Sequence, residues 1–253
     1  MNLFFKLCFL FFIGSLSGWC IELVFRRFFS STKKWINPGF LNGPYLPIYG
    51  FGICLFYLMS QASLDFIVNP FWRDVFRLTS MCILVTLIEY IVGILFTKVV
   101  KVKLWDYSRR WGNIQGVICP LFSLFWFAFG ALFYFVLYNL FTQALDWFAN
   151  NITFCFVLGL FYGILIVDLG ISLNVLGKIR GFVKESKVIV HYDNLKASIR
   201  NELKELEQKS SFIFPFSKGD LRHSLKRYLD SLAIDESKNK ILKAIKMRKN
   251  SKK

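Results

Sequence analysis

Long apolar segments dominate the pattern of hydrophobic and polar residues in this chain of 253 residues. About 20 residues, at about 1.5 Å each, cross the hydrocarbon core of a bilayer, and five segments approach or exceed that length. They are Leu3 to Phe25, Tyr45 to Ala62, Phe76 to Phe96, Ile114 to Phe141 and Ile152 to Leu176. The second segment is short, and Pro47 and Gly50 near its start favour a broken or re-entrant helix. The pattern therefore predicts an all-α polytopic membrane bundle of about five transmembrane helices.

The order of features in the first two segments is repeated in the next two. In each repeat an apolar span carries one carboxylate, a basic aromatic loop follows, and Gly-x3-Pro opens the next apolar span. The carboxylates are Glu22 and Glu89, and the Gly-x3-Pro steps begin at Gly43 and Gly116. A carboxylate in an apolar span costs about 2.5 to 3.5 kcal/mol on insertion scales, so a repeated one indicates a polar function. We expect two parallel repeats that bring Glu22 and Glu89 together toward the cytoplasmic half of the bundle.

Composition and charge also place the chain in a membrane. Hydrophobic residues make up 55% of it, with 30 Phe, which is far above the apolar share of a soluble domain. Of the 32 Lys and Arg residues, 20 follow the fifth span, and most of the others lie in the loops after the first and third spans, here called loop one and loop three. Because cytoplasmic loops carry the excess of Lys and Arg, we expect a cell-membrane protein with its N-terminus outside and its C-terminus in the cytoplasm.

The composition changes after the fifth span, which predicts a transmembrane domain of residues 1–176 and a basic cytoplasmic tail of residues 177–253. Two amphipathic helices are expected in the tail, around Leu195 to Leu206 and Leu221 to Leu232, with disorder after Lys246. The net charge of +16 indicates contact with anionic headgroups of the inner leaflet, and no nucleic-acid partner is expected. For this tail we favour a solvated helical hairpin near the lipid headgroups over a module that docks a partner protein.

Glu22 and Glu89 differ in the partners that their own helices offer. Arg26 lies four residues after Glu22, so the simplest interpretation is a salt bridge on one helical face, and the alternative is a carboxylate that faces a cavity. Glu89 has no basic residue at helical spacing. Desolvation favours its neutral form, which a hydrogen bond to a Tyr, a Trp or a backbone carbonyl would satisfy. Intramembrane ionisable groups commonly mark pathways or relays, and we favour that role for Glu89. The candidate substrate-binding residues are Glu22, Arg26, Tyr49, Glu89, Asp106 and Asn113.

Loops one and three combine aromatic, acidic and turn-forming residues. In one interpretation Trp105 and Tyr107 anchor loop three among the headgroups, while Asp106 pairs with an arginine or caps the next helix. In the other, the two loops fold together as a polar vestibule over Glu22 and Glu89, since irregular backbone near a membrane needs protein or water to satisfy it. The residues expected to shape these loops are Asn37, Gly39, Gly43, Pro44, Pro47, Gly50, Trp105 and Gly116.

Several familiar kinds of site have no pattern in this sequence. The six cysteines lie in apolar spans without a C-x-x-C pair and both histidines lie in the tail, so neither a disulfide framework nor a metal site is expected. The sequence has no G-x4-G-K-[ST] loop and no G-x-G-x-x-G after a strand, so we expect no cofactor and no nucleotide hydrolysis by this chain. Asp168 and the step from Gly159 to Gly163 predict a tightly packed fifth span with one polar contact.

A long motif in loop one, from Asn37 to Gly52, resembles the bacterial family named putative ABC-transporter type IV. Further segments similar to that family are Gly18 to Glu22, Glu89 to Tyr90, Trp105 to Ser108 and Asn113 to Gly116. The resemblance covers residues 10–135, and Pro38 stands where members of the family usually carry Arg. It implies a permease-like membrane subunit, and it supplies no substrate.

Three functions fit these features. The leading hypothesis is a transporter-like or permease-like subunit with a polar intramembrane site lined by acidic residues, whose partner would be a separate ATPase or another membrane subunit. The second is a regulatory or assembly protein, in which the polar residues hold the bundle together and the tail docks a partner. The third is an intramembrane enzyme that uses Glu22, Glu89 and Asp106 on a lipid-linked substrate. It ranks last because the sequence offers no nucleophile or metal set, and no catalytic residue is assigned.

Overall fold

The computed structural model describes residues 2–28, 35–186, 190–192 and 194–198. Its α-helices are α1 (Leu3–Phe28), α2 (Pro47–Gln61), α3 (Pro70–Ile94), α4 (Pro120–Leu132), α5 (Tyr138–Asn150) and α6 (Cys155–Ser186). A π-helical turn continues α3, another joins α4 to α5, and a 3-10 turn precedes α6; they are Leu95–Val100, Phe133–Leu137 and Ile152–Phe154. Two short strands, β1 (Val102–Lys103) and β2 (Val190–His191), pair in parallel. The prediction of an all-α membrane bundle is confirmed.

Four helical segments in the described part of the chain are long and apolar enough to cross a membrane, which is one fewer than the five expected. They are Leu3–Phe28, Pro70–Val100, Pro120–Asn150 and Ile152–Gly181. The remaining candidate, the second segment, is α2. It has 15 residues and is therefore about 22 Å long, which is shorter than a hydrocarbon core of about 30 Å. The segment that the sequence marked as short and broken at its start is thus a short helix.

Proline fixes where three of the helices begin. Pro47, Pro70 and Pro120 each occupy the first turn of α2, α3 and α4, where the missing N–H costs no hydrogen bond. The third span therefore begins earlier than the predicted Phe76. The fourth begins later than the predicted Ile114, because Ile114 and Ile118 close a backbone turn ahead of α4.

The helices surround an apolar core that is rich in aromatic rings. Phe9 of α1 stacks on Phe148 of α5 with ring centroids 4.5 Å apart, and Phe56 of α2 lies 5.7 Å from Phe133. All four side chains are buried. Phe side chains therefore pack the start of α1 against α5, and α2 against the turn between α4 and α5.

Two compact units divide the chain, Met1–His191 and Tyr192–Lys253. The features described below belong to the first unit. In the second, residues 194–198 are helical, and the Lys196 ammonium lies 4.7 Å from the centroid of the Tyr192 ring. The amphipathic helices and disordered end expected in the tail fall almost entirely outside the described residues. Helix α6 continues to Ser186, beyond the predicted end of the transmembrane domain at residue 176, and that domain boundary stays a prediction.

Candidate functional site

Glu22 and Glu89 occupy equivalent positions in their helices. Each lies nineteen residues after the first residue of its helix, Leu3 in α1 and Pro70 in α3, which is about 28 Å along the axis. Both helices lead into the loops that carry the repeated Gly-x3-Pro steps. A chain of side-chain contacts through Tyr49 and Trp126 joins the two carboxylates, as described below.

Glu22 is held by two donors. Its Oε1 accepts from Nε of Arg26 at 2.9 Å, which is the salt bridge that the spacing of four residues predicted. Its Oε2 accepts from the hydroxyl of Tyr49 at 3.0 Å, and Tyr49 lies in the first turn of α2. The carboxylate thus joins two helices, and its charge is balanced by a guanidinium on its own helix.

Close packing of α1 against α2 makes the Tyr49 contact possible. A methyl group at Gly18 would overlap the ring of Tyr49, and one at Gly50 would overlap the hydroxyl oxygen of Ser15. The absence of a side chain at Gly18 therefore lets Tyr49 lie flat against α1, with its hydroxyl one turn further along at Glu22. Glycine acts here by its size, since small residues let transmembrane helices approach closely.

Glu89 is buried, with an exposed fraction of 4%, and its two partners are uncharged. The hydroxyl of Tyr107 in loop three donates to Oε1 at 3.1 Å, and the indole Nε1 of Trp126 in α4 donates to Oε2 at 2.9 Å. Burial and, after it, the Glu89 carboxylate raise the pKa of Tyr107 well above its ordinary value, so this hydroxyl stays a donor. Glu89 therefore has the Tyr and Trp partners that its sequence setting required.

Aromatic rings connect the two carboxylates. The rings of Tyr49 and Trp126 have centroids 5.6 Å apart, so the donor to Glu22 lies beside the donor to Glu89. Tyr107 stacks on Phe122 of α4 at 4.2 Å. We call Glu22, Tyr49, Glu89, Tyr107 and Trp126 the carboxylate cluster; it draws on four helices and loop three.

Asp106 and Asn113, which the sequence placed among the candidate binding residues, hold loop three together. Asp106 accepts from the N–H of Ser108 at 3.0 Å, and its carboxylate lies 3.2 Å from the Lys103 ammonium and 3.7 Å from Nε2 of His191. The expected arginine partner of Asp106 is thus a lysine. Partial burial alone would raise the pKa of Asp106, but Ser108 and Lys103 outweigh burial and hold it below its ordinary value.

Asn113 closes the turns of loop three. Its Nδ2 donates to the carbonyls of Ser108 and Arg110, and its Oδ1 accepts from the N–H of Gly116 at 3.0 Å. Gly116 has a φ of +70°, which only glycine adopts without strain. Within the described residues, no contact of Asp106 or Asn113 reaches Glu22 or Glu89. Their assignment to substrate binding remains a prediction.

The aromatic residues of loop three turn inward. Nε1 of Trp105 donates to the carbonyl of Val117 at 2.9 Å, and Tyr107 reaches Glu89. The side chain that stands free is Trp111, with an exposed fraction of 86%. Trp105 and Tyr107 thus donate to groups within the protein, and the vestibule formed by loops one and three stays a prediction.

Loop one is described from residue 35 to residue 46 and is built around Asn37. The Oδ1 of Asn37 accepts from Nε1 of Trp19 at 2.6 Å, and its Nδ2 donates to the carbonyls of Leu41 and Asn42. Other loop residues have separate tasks: Gly39 has a φ of +74°, Pro44 is exposed, and Pro47 starts α2.

Asp168 of α6 makes more polar contacts than the sequence predicted. It was expected to make one polar contact. Its carboxylate instead accepts from the N–H groups of Asn42 and Gly43, from Nδ2 of Asn42, and from the hydroxyls of Tyr45 and Ser172, at 2.6 to 3.2 Å. We call these donors the Asp168 cradle.

The expectation that Gly159 and Gly163 mark tight packing is wrong in the described structure. A methyl group at either position would meet nothing within 4 Å in the described part of the chain. Polar contacts from loop one, rather than small residues, attach α6 to this end of the bundle.

These features define a membrane protein with an all-α bundle and a polar cluster inside it. The chain matches the family described as putative ABC-transporter type IV over residues 9–173, and it belongs to that family. The match extends beyond the resemblance seen in the sequence, through α5 and into α6. No curated protein and no solved structure matches the chain.

Proposed function

We propose that this chain is a transporter-like, permease-like membrane subunit whose carboxylate cluster is the polar site on the transport path. The observation that carries the proposal is the meeting of Glu22 and Glu89, from two different membrane-spanning helices, through Tyr49 and Trp126. Transporters commonly place their sites between structural repeats, and the family match to an ABC-transporter type supports the class.

Charge balance indicates what the site would accept. Arg26 balances Glu22, whereas the described donors to Glu89 are the neutral groups of Tyr107 and Trp126. A buried carboxylate that keeps its charge needs a counter-charge, because an unpaired ion in an apolar medium is very costly. We therefore propose that Glu89 takes up a proton or a cationic group when the site works.

The partners and the orientation are part of the same proposal. The sequence has no phosphate-binding motif for a nucleotide, so the ATPase of such a transporter would be a separate chain. Lys98, Lys101, Arg109 and Arg110 are exposed after α3 and in loop three, which supports placing that end of the bundle at the anionic inner leaflet. The N-terminus would then lie outside and the C-terminus in the cytoplasm of the cell.

The test is Glu89→Gln, which keeps the size of the side chain and one of its two acceptor oxygens and removes its ionisation. In cells that carry the variant in place of the wild type, we expect the phenotype of a full deletion, with normal protein levels in the membrane fraction. Asp146→Asn is the matched control, since Asp146 is an exposed carboxylate on α5, and it should behave as wild type. Unchanged function in Glu89→Gln would contradict the proposal.

The internal hydrogen bonds of the carboxylate cluster favour one alternative. Both oxygens of Glu22 and of Glu89 already accept bonds from the protein, which suits a regulatory or assembly protein whose polar cluster only joins helices. Unchanged function in Glu89→Gln would support that alternative.

A further inference from the structure

Loop one leads into α2, is hydrogen-bonded to α1 and α6, and packs against the π-helical turn after α3. The N–H of Leu46 donates to the carbonyl of Ser15 in α1 at 2.9 Å, and Asn37 accepts from Trp19 of the same helix. The ring of Phe40 lies 4.8 Å from that of Phe96, in the π-helical turn after α3. The connection to α6 is made by Asp168. The position of the loop therefore depends on where these helices lie.

The contact with α6 has the largest number of hydrogen bonds. Asp168 has an exposed fraction of 6%, and the donors of its cradle come mostly from three residues of one short loop segment, Asn42, Gly43 and Tyr45. Two of these donors are backbone N–H groups, so the carboxylate fixes the course of the main chain as well as the side chains. Hydrogen bonds to an ionised acceptor are roughly twice as strong as neutral ones.

The end of loop one determines the position of Tyr49. Pro47 follows Leu46 directly and occupies the first turn of α2, and Tyr49 lies in that same turn. Because an α-helix is stiff, a shift of the loop end moves the Tyr49 hydroxyl relative to Glu22, from which it is now 3.0 Å away. The cradle and the carboxylate cluster are thus joined by a short, continuous stretch of chain.

We propose that Asp168 is a positioning residue for the carboxylate cluster: by seating loop one on α6, it places the Tyr49 hydroxyl against Glu22. Asp168 acts through loop one. In the described part of the chain it makes no direct contact with Glu22 or Glu89. The biological meaning of this inference rests on the proposed function of the cluster. The contact itself is tested without any transport measurement.

The experiment is a double-mutant cycle of thermal unfolding in detergent or nanodiscs, with Asp168→Asn, Tyr49→Phe and the double variant. Tyr49→Phe should lower the Tm of the wild-type background and have little further effect in Asp168→Asn, because the bond to Glu22 is already lost there. An equal Tm shift in both backgrounds would overturn the inference, since Asp168 would then stabilise loop one only. A general loss of stability cannot produce the coupling, because independent effects add.

Two further sets of variants serve as a control and as substitutes for Asp168→Asn. Asp146→Asn makes the same chemical change on α5, and its effect should add to that of Tyr49→Phe. If Asp168→Asn fails to reach the membrane, Tyr45→Phe and Ser172→Ala each remove one donor from the cradle and leave the carboxylate in place. We expect a smaller coupling of the same sign with Tyr49→Phe, and additivity for both variants would overturn the inference. Neither result depends on the outcome of Glu89→Gln.

Discussion

Glu89 and Asp168 are both buried carboxylates in membrane-spanning helices, but they differ in the number and kind of protein groups that donate hydrogen bonds to them. Asp168 accepts bonds from two backbone N–H groups, one amide and two hydroxyls, which saturate its two oxygens. Glu89 accepts one bond on each oxygen, from a phenol and an indole. The oxygens of Asp168 thus have no acceptor capacity left, whereas each oxygen of Glu89 accepts one bond from the described residues, which fits the proposal that Glu89 takes up a proton or a cationic group. Burial of an acid does not by itself identify a site; the donors around it do.

The largest effect that separates the two acids concerns function. Glu89→Gln should abolish activity in the cell and leave the folded protein intact, because the amide keeps the bonds to Tyr107 and Trp126 in part and removes a buried charge. Its free energy of unfolding should change by about 1 kcal/mol or less, since the loss of one hydrogen bond is offset by relief of the cost of burying a charge. Unfolding in a denaturing detergent measures this change in free energy. A large loss of stability in Glu89→Gln would contradict the expected difference between Glu89 and Asp168.

The same chemical change at Asp168 should do the opposite. Asp168→Asn replaces an acceptor oxygen by an NH2 group that faces the N–H donors of Asn42 and Gly43. We expect a loss of about 3 kcal/mol in the free energy of unfolding, because bonds to a charged acceptor contribute about 1.5 to 3 kcal/mol each. Hydrogen exchange should rise in loop one and stay unchanged in loop three. A variant as stable as the wild type would show that the cradle contributes little.

Gly18→Ala tests the packing on which the Glu22 half of the cluster depends. The added methyl group overlaps the Tyr49 ring, so we expect a loss of about 1 to 3 kcal/mol, as for other overpacked sites. Gly52→Ala in α2 is the control, since a methyl group there meets nothing within 4 Å. It should be neutral or slightly stabilising because alanine favours a helix. Equal effects of the two variants would rule out the close approach of Tyr49 to α1.

Tyr107→Phe removes one donor from Glu89 and keeps the stacking on Phe122. We expect a loss of about 1 kcal/mol in the free energy of unfolding, the usual value for one hydrogen bond. Tyr90→Phe is its control, because the hydroxyl of Tyr90 accepts an exposed bond from Gln115. The control should differ from the wild type by less than about 0.5 kcal/mol. A larger loss in the control than in Tyr107→Phe would contradict the role of Tyr107.

The smallest expected effect is the response of loop three to acid. The folded pKa of Asp106 lies below its ordinary value of about 3.9, so this carboxylate contributes stability that is fully present above that pH. The contribution is lost as the pH falls through the lowered folded pKa. Proteolysis of residues 101–119 in nanodiscs should therefore accelerate below about pH 4. Asp106→Asn should be cleaved faster at neutral pH and show a flatter pH profile, whereas His191→Gln should keep the acid transition.

The repeated pattern predicted a real part of the site. Glu22, Arg26 and Tyr49 are joined, and Glu89 has aromatic donors, because an acid in an apolar helix must find a partner within reach. Trp126 was not foreseen, since a tryptophan in an apolar helix has no special spacing and its indole N–H gains meaning only from the helix opposite. Most partners of Asp168 were missed for the same reason: Asn42, Gly43 and Tyr45 lie more than 120 residues earlier in the chain.

The sequence by itself determined the membrane class, the long apolar helices and the salt bridge between Glu22 and Arg26, because these follow from composition and from spacings within a few residues. Only the tertiary structure decided which loop residues reach a carboxylate, and that Glu89 and Asp168 have different surroundings. Those outcomes depend on which distant N–H and O–H groups the packing of six helices brings to about 3 Å from each acid, and no local pattern encodes that distance.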